Sequence, residues 1–334
     1  MMPFLARDGH FISKEFKALV SSMQESIREM ESMLCDFSIP ELPLLETGIK
    51  QLINAGGKRL RPCLAWVSYG FGREKKLPIL PLMCMIEWMH TASLIHDDVV
   101  DDAPFRRGVP TLQTQMGKAQ ALAGGDYLLG IAMEYLHLYR GTGINEALAD
   151  VSTQMCSGEF TQMKNLYRAD LQNEEVYESQ IRKKTAYLIA TSCFCGGRAG
   201  GLSDEETNAL RAYGERIGIA FQLKDDILDF TADDSFGKKR GQDLQSGIFT
   251  LPILHAFEVN PDETMISLAE KRQKEKEDVE TLIGYVKDAD GIRYTQERVK
   301  AVSLEAISCL KPLPDGIHKQ ALEKIAQVLL ERKI

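Results

Sequence analysis

Residues 77–102 constrain the fold of this chain more than any other stretch of the sequence. The stretch is mostly hydrophobic as far as Ile95 and then ends in a group of aspartates. Its apolar residues do not alternate with polar ones in the two-residue period of a β-strand. A helix that is hydrophobic nearly all round belongs at the centre of a bundle, because each of its faces must be covered. We therefore predict that this stretch is the central helix of an all-α protein.

The aspartates at the end of this helix begin with the motif DDVVD. Asp97 and Asp101 are four residues apart, as are Asp98 and Asp102, so each pair shares one face of a helix. Like charges at that spacing destabilise an isolated helix by about 0.2–0.5 kcal/mol per pair. A divalent cation would offset this repulsion, and Mg²⁺ is typically held by one or two carboxylates together with substrate phosphates.

A second motif of the same kind, DDILD, occupies residues 225–229 within the apolar run Phe221–Phe230. An acidic pair on a helix is usually a solvated surface, so one such motif is weak support for a metal site. Two of them, each flanked by apolar helix, are much harder to explain in that way. We predict that the two clusters face each other across a cavity and bind several Mg²⁺ ions and a diphosphate.

Two groups of basic residues accompany the acidic motifs. Arg106 and Arg107 follow the first cluster closely, and arginine suits the bidentate recognition of phosphate. The segment GGKRLRP, residues 56–62, places three cations at a glycine turn before a new helix, and helix N-termini with adjacent cations bind anions. Taken alone, this segment is equally well explained as a solvated basic loop.

Together these motifs resemble the trans-prenyltransferases (polyprenyl diphosphate synthases). The match covers about residues 45–258 and lies in the family's order at its approximate spacing. The matching residues are Gly56–Pro62, Asp97–Asp101, Arg106-Arg107, Lys184-Thr185, Gln222, Asp225–Asp229 and Gly237-Lys238 with Asp243. The resemblance implies one domain over residues 1–334, an all-α bundle of ten or more helices around a central cavity. Within it, residues 1–44 would form an N-terminal helix and connection, 45–258 the catalytic core, and 259–334 the C-terminal helices.

The resemblance also implies a role for individual residues. The Mg²⁺ ions, three per active site with substrate bound, would be held by Asp97, Asp98, Asp101, Asp225, Asp226 and Asp229. The diphosphate of isopentenyl diphosphate would be bound by Lys58, Arg61, His90 and Arg107. The allylic diphosphate would be bound by Arg106, Lys184 and Lys238. The reacting centre itself would be flanked by Lys184, Thr185 and Gln222.

Product length is predicted from the residues that precede the first acidic cluster. Ala92 and Ser93, five and four positions before Asp97, are small, whereas short-chain members of the resembled family often carry an aromatic residue there. The apolar channel that would hold the growing hydrocarbon chain, the hydrocarbon slot, is therefore open beside Ala92 and Ser93. Met89, further from the aspartates, would form part of its closed end. We predict a product of C20 or longer, which resembles the products of geranylgeranyl and of medium- to long-chain synthases.

Composition limits the possible partners. The net charge is −8 for 334 residues, so a nucleic-acid partner is not expected. The longest clean apolar run, Ile79–Ile86, is far shorter than the roughly 20 residues of a membrane span. Seven scattered cysteines without a zinc-like spacing, and no recognisable signal peptide, predict a cytoplasmic protein with reduced thiols.

Some alternatives stay open at this point. A terpene cyclase would normally lack the second DDxxD motif, and a His-Asp phosphohydrolase would need more histidines than the six present. The partner is either a second copy, as is the default in the resembled family, or a small regulatory subunit that activates this chain. The preferred primer, the downstream pathway and the role of Arg332-Lys333 are not determined by the sequence.

Overall fold

The computed structural model describes residues 13–75, 77–231 and 240–331. In this part of the chain the α-helices are, in order, α1 (Lys14–Leu34), α2 (Pro43–Asn54), α3 (Leu60–Tyr69), α4 (Ile79–Val100), α5 (Leu112–Met116), α6 (Lys118–Glu134), α7 (Ile144–Asn165), α8 (Glu174–Ile181), α9 (Tyr187–Ala199), α10 (Asp204–Thr231), α11 (Gln242–Gln245), α12 (Leu251–Val259), α13 (Glu263–Glu270), α14 (Lys276–Asp288), α15 (Gly291–Cys309) and α16 (Ile317–Glu331). Between α4 and α5 lies a short hairpin, β1 (Phe105–Arg106) and β2 (Val109–Pro110). The predicted all-α class is confirmed.

The helices group into two compact units. The described residues of the first unit fall within Met1–Ala149, Thr191–Arg211 and Pro312–Leu322. Those of the second fall within Asp150–Ala190, Ala212–Lys311 and Glu323–Ile334. The predicted single domain stays a prediction. Across the described segments, no helix is both long enough and apolar enough to cross a membrane.

Helix α4 is the centre of the first unit, as its composition predicts. It packs against α1, α3 and α6, and its residues 82–89 are all buried. Even the polar edge of Trp88 is satisfied there, since its indole N–H donates to the carbonyl of Leu34 at 3.2 Å. The helix ends at Val100, earlier than predicted. Asp102 therefore lies outside it in a left-handed conformation (φ 53°), and the expected pairing of Asp98 with Asp102 on one face was wrong.

The second unit contains a π-helix, Arg182–Ala186, which joins α8 to α9. Two glycines make room for it. A Cβ on Gly158 of α7 would lie 2.8 Å from the backbone nitrogen of Lys184, and one on Gly218 of α10 would lie 2.4 Å from the Cα of Ala186. At these two glycines the backbones of α7 and α10 therefore pack directly against the backbone of the π-helix, with no room for a side chain between them. Helices α13 and α14 lie within residues 259–334, which were expected to form the C-terminal helices.

Candidate active site

A buried ion pair fixes the glycine turn between α2 and α3. Gly56 and Arg59 both have positive φ (81° and 48°), and the Arg59 side chain is only 3% exposed. Its guanidinium donates to Glu87 at 2.6 Å, to Glu31 at 3.0 Å and to the carbonyl of Ile53 at 2.7 Å. A guanidinium with this many partners holds the turn in one conformation. Lys58, next to it, is exposed.

The turn brings three of the four predicted isopentenyl diphosphate ligands together in the first unit. The Arg61 guanidinium lies 3.2 Å from Nε2 of His90. Arg107 donates to the carbonyl of Gly56, and Gly57 is in contact with the same guanidinium, because a Cβ there would lie 3.0–3.2 Å from it. Lys58 is adjacent to Gly57 in the sequence. We call Arg61, His90 and Arg107 the basic cluster.

The electrostatics of the basic cluster favour an anion. Burial lowers the pKa of Arg61 to about 10, and burial also lowers the pKa of Arg107. The pKa of His90 lies well below its usual value because of burial and the neighbouring Arg61 and Arg107. Cations that are crowded and partly desolvated gain most from a bound anion. His90 is accordingly neutral near pH 7.

In the first acidic cluster the three aspartates of the motif have different surroundings. Asp98 is 2% exposed, and its carboxylate pairs with Nε of Arg106 at 2.5 Å. Burial raises the pKa of Asp98, and the charge of Arg106 opposes that rise. Asp97 is half-buried and Asp101 exposed, so these two carboxylates offer the accessible oxygens of the cluster.

The second acidic cluster repeats this arrangement. Asp226 is 1% exposed and accepts hydrogen bonds from the Tyr177 hydroxyl and, at 3.0 Å, from Gln222 Nε2. Burial holds the pKa of Asp226 well above its usual value. Asp229 accepts from the backbone N–H groups of Gln242 (3.0 Å) and Asp243 (3.2 Å), at the start of α11. Asp225 is exposed.

The two predicted residues of the π-helix point to different neighbours in the second unit. The Lys184 ammonium lies 2.6 Å from Oε2 of Glu159 and donates to Oε1 of Gln162 at 3.2 Å. The Thr185 hydroxyl donates to Oε1 of Gln222 at 2.9 Å. Because the other end of the Gln222 amide donates to Asp226, its orientation is fixed. Lys184 is thus paired directly with Glu159, and Thr185 is linked to Asp226 through the amide of Gln222.

Comparison with known proteins agrees with these observations. A family model described as Polyprenyl synthetase matches residues 42–286. The chain belongs to this family. Heptaprenyl diphosphate synthase component 2 of Bacillus subtilis is 33% identical over 320 residues, 96% of this chain and 91% of that protein. Geranylgeranyl diphosphate synthase of Methanosarcina mazei is 31% identical over 290 residues, 85% of this chain and 88% of that protein.

A solved structure extends the likeness to the fold. The crystal structure of a decaprenyl diphosphate synthase from Rhodobacter capsulatus superposes with a TM-score of 0.88 at 28% identity, covering 95% of this chain and 99% of that one. This polyprenyl synthetase is therefore a prenyltransferase, and its reaction is trans-prenyl chain elongation. The family and the enzyme class predicted from the motifs are confirmed.

The carboxylates of the two clusters suit Mg²⁺ as ligands. Among the described residues, no three His, Cys, Asp or Glu side chains converge into a site that would hold a metal by themselves. Mg²⁺ usually takes one or two carboxylates and completes its shell with water and substrate phosphate, and the accessible oxygens of Asp97, Asp101 and Asp225 match that requirement. Lys238 and Arg332-Lys333 lie outside the described residues. The assignment of individual ligands stays a prediction.

The predicted chain-length residues lie on α4 below the first acidic cluster of this synthetase. Ala92 has no exposed surface and Met89 is 8% exposed, whereas Ser93 is half-buried and its hydroxyl donates to the carbonyl of His90 at 2.8 Å. Of the two small positions, Ser93 is the more accessible. Their role in product length stays a prediction.

Three side chains that support the site were not singled out from the sequence: Glu87, Glu159 and Tyr177. Arg59 was counted among the cations of the glycine turn, whereas the structure buries it against Glu87. Glu87 carried a recognisable signal, since a lone carboxylate in an otherwise apolar helix needs a buried partner. Tyr177 and Glu159 carried none, because their spacing from their partners along the chain is 49 and 25 residues.

Proposed function

We propose that this polyprenyl synthetase condenses isopentenyl diphosphate head to tail with an allylic diphosphate in the presence of Mg²⁺. The product is an all-trans prenyl diphosphate of C20 or longer. The observation that carries this proposal is the division of two adjacent arginines. Arg106 pairs with Asp98 in the acidic cluster, whereas Arg107 belongs to the basic cluster beside Gly56.

Helix α4 sets the distance between the basic cluster and the first acidic cluster. His90 and Asp97 are seven residues apart on it, which places them on nearly the same face about 10 Å from each other. One cluster is rich in cations and would bind a diphosphate directly. The other presents carboxylates and would bind a diphosphate through Mg²⁺. A prenyl condensation requires two diphosphate substrates, one of which leaves as diphosphate and one of which keeps its diphosphate, so two different diphosphate sites suit it.

The chain's residues then have the following roles. Lys58, Arg61, His90 and Arg107 hold isopentenyl diphosphate by its diphosphate. Asp97, Asp101 and Asp225 would hold the Mg²⁺ ions, with Asp98, Asp226 and Asp229 in support, and bound Mg²⁺ would neutralise charge on the allylic leaving group. Arg106, Lys184 and Lys238 add cationic charge to the same leaving group.

The bond changes that we propose are those of a prenyl condensation. The allylic C–O bond breaks and leaves a carbocation, near which Thr185 and Gln222 present oxygen atoms. The double bond of isopentenyl diphosphate attacks the cation and forms the new C–C bond, and a proton is then lost, with the released diphosphate as the acceptor we propose. The chain supplies position and electrostatics, and no side chain becomes covalently attached.

The direct test uses the purified chain alone with Mg²⁺, farnesyl diphosphate and labelled isopentenyl diphosphate, with products separated by length. We expect a ladder that ends at a defined length of C20 or more. Asp101→Asn should lower incorporation by roughly 100-fold or more, on the scale of losing one transition-state charge contact. Its matched control is Asp102→Asn, outside the motif and paired with Lys118, which should stay active. Equal activity of both variants would contradict the assignment.

A second candidate function has its own support. The Bacillus subtilis relative, matched over 96% of this chain, is named component 2. We infer that this chain is alternatively the catalytic large subunit of a heteromeric synthase, inactive without a small partner. Absence of incorporation by the intact chain alone, together with activity restored by a co-purifying small helical protein, would establish this alternative. Incorporation by the chain alone would exclude it.

A further inference from the structure

The π-helix Arg182–Ala186 is held against α7 of the second unit at one particular point. Gly158 leaves α7 so close to the π-helix that an added Cβ would lie 2.8 Å from the nitrogen and 3.1 Å from the Cα of Lys184. π-helical turns inside α-helices occur frequently at functional sites. The residue after this glycine, Glu159, thereby reaches the Lys184 side chain.

The Lys184 ammonium is surrounded by acceptors from α7. Glu159 Oε2 is 2.6 Å from it, with the two side chains 14% and 24% exposed. Gln162 Oε1, almost one turn further on, accepts from Lys184 at 3.2 Å and from Gln180 Nε2 at 3.3 Å. Because Gln162 is itself held by Gln180, its amide orientation is fixed, and its oxygen faces the ammonium.

This arrangement reduces two costs of using a lysine in a binding site, one of conformational entropy and one of lost hydration. A lysine side chain is flexible and loses much rotamer entropy when it is placed in one conformation. A partly buried ammonium also pays for lost hydration unless a carboxylate or other acceptors replace the water. Glu159 and Gln162 meet both requirements before any substrate arrives. The geometry therefore prepares Lys184, rather than Glu159, for contact with an anion.

We propose that Glu159, supported by Gln162, is a positioning residue that holds the Lys184 ammonium ready for the allylic diphosphate. The inference rests on the proposed role of Lys184 in binding that substrate. Glu159 acts through Lys184 and does not touch the reacting atoms. Its loss should impair the use of the allylic primer and leave the use of isopentenyl diphosphate unchanged.

The test compares Glu159→Gln, Glu159→Asp and the wild type in steady-state kinetics with each substrate varied in turn. Glu159→Gln should lower kcat/KM for the allylic primer by roughly tenfold or more, as expected for a lost charged contact that orients a ligand group. The KM for isopentenyl diphosphate should change less than about twofold. Glu159→Asp, which keeps the charge, should restore part of the loss. The matched control is Glu178→Gln, which removes a carboxylate paired with Arg182 of the same π-helix at 2.8 Å.

A double-mutant cycle separates positioning from general structural damage. In a Lys184→Ala background, Glu159→Gln should have almost no further effect on the primer, because its action passes through Lys184. Additive losses, or a loss shared equally by both substrates or by Glu178→Gln, would overturn the proposal. If Glu159→Gln does not fold, Glu159→Asp in the same cycle gives the answer. A wild type that does not elongate the primer would instead count against the proposed function.

Discussion

At the residue scale, the separation of Arg106 from Arg107 depends on the hairpin between α4 and α5. The strands pair Phe105 with Pro110 and Arg106 with Val109, so Arg107 and Gly108 form a two-residue loop. Both have positive φ (52° and 80°), the pattern of a type I′ turn, whose twist matches that of the strands. Arg106 lies in a strand and Arg107 in the turn, so the two consecutive side chains can serve different clusters.

His90 yields a prediction about pH. Because its pKa lies well below 6.5 in the folded protein, the unfolded chain binds more protons than the folded one as the pH falls below 6.5. The ligand-free protein should therefore lose stability in that range. His90→Gln cannot take up this proton, and its unfolding free energy relative to the wild type should increase by up to about 1.4 kcal/mol per pH unit between pH 6.5 and 5.

The measurement is thermal or urea unfolding of both proteins at pH 5, 6 and 7. The control is His137→Gln, at an exposed histidine whose Nδ1 lies 2.7 Å from the carbonyl of Glu134. This variant shows how much of any change comes from removing a histidine at an exposed position rather than at His90. A constant difference between His90→Gln and the wild type from pH 7 to 5 would show that His90 does not resist protonation.

Ser93 and Ala92 yield a prediction about product length. Ser93→Phe should place a ring in the hydrocarbon slot and shorten the product, as should Ala92→Phe. Ala92 has no exposed surface, so its enlargement should also cost about 1–3 kcal/mol through overpacking, and Ser93→Phe is the cleaner test. Product ladders with labelled isopentenyl diphosphate measure the effect. The control Leu94→Phe, about 100° around the helix from Ser93, should keep the wild-type length; an active Ser93→Phe with unchanged products would contradict the slot.

At the element scale, the close approach of α10 to the π-helix yields a prediction about stability. A Cβ on Gly218 would lie 2.4 Å from the Cα of Ala186, a backbone atom that cannot move away cheaply. Gly218→Ala should therefore lower the unfolding free energy by about 1–3 kcal/mol. It should also reduce primer turnover, because Lys184 and Thr185 belong to the displaced segment.

The control for this prediction is a glycine in open space. Gly284 lies inside α14, and nothing is within 4 Å of an added Cβ. Gly284→Ala should stabilise the protein by roughly 0.5–1 kcal/mol, because alanine loses less backbone entropy in a helix. Urea unfolding of both variants makes the comparison. If Gly218→Ala were as stable as the wild type, the π-helix would be able to move without cost.

Elements also show how far sequence alone reaches. The apolar character of residues 77–102 predicted α4 to within two residues at each end, since it reflects burial along one segment. The π-helix and the left-handed Arg59 were not predictable, because contacts with Gly158, Gly218 and Glu87 determine them. The aspartate motifs predicted the clusters. Which aspartates are buried and bonded, Asp98 and Asp226, depends on Arg106 and Tyr177 from other segments.

At the scale of the whole molecule, the distribution of charge matters more than its sum. The chain carries a net charge of −8, yet its proposed substrates are polyanions. The basic cluster on the first unit concentrates cations at one place, with Glu87 as the buried carboxylate that offsets part of their charge. Direct attraction of a diphosphate is then concentrated at that cluster, whereas the acidic clusters would bind a diphosphate only through Mg²⁺.

Assembly yields the last prediction. Leu122 (42% exposed) and Met133 (64% exposed) lie eleven residues apart on α6, so both project from the same helical face. Exposed apolar residues on one face are typical of an interface, and we predict that a second copy of the chain covers them.

The chain alone should then have about twice the 37.4 kDa of one protomer by light scattering. Leu122→Glu with Met133→Glu should reduce this to the single-chain mass while the helical circular dichroism is retained. Leu304→Glu, at a comparably exposed leucine (49%) on α15, is the control and should stay dimeric. A wild-type chain that is monomeric and gains mass only with a small partner would instead support the heteromeric synthase, because the same apolar face would then be covered by a different protein.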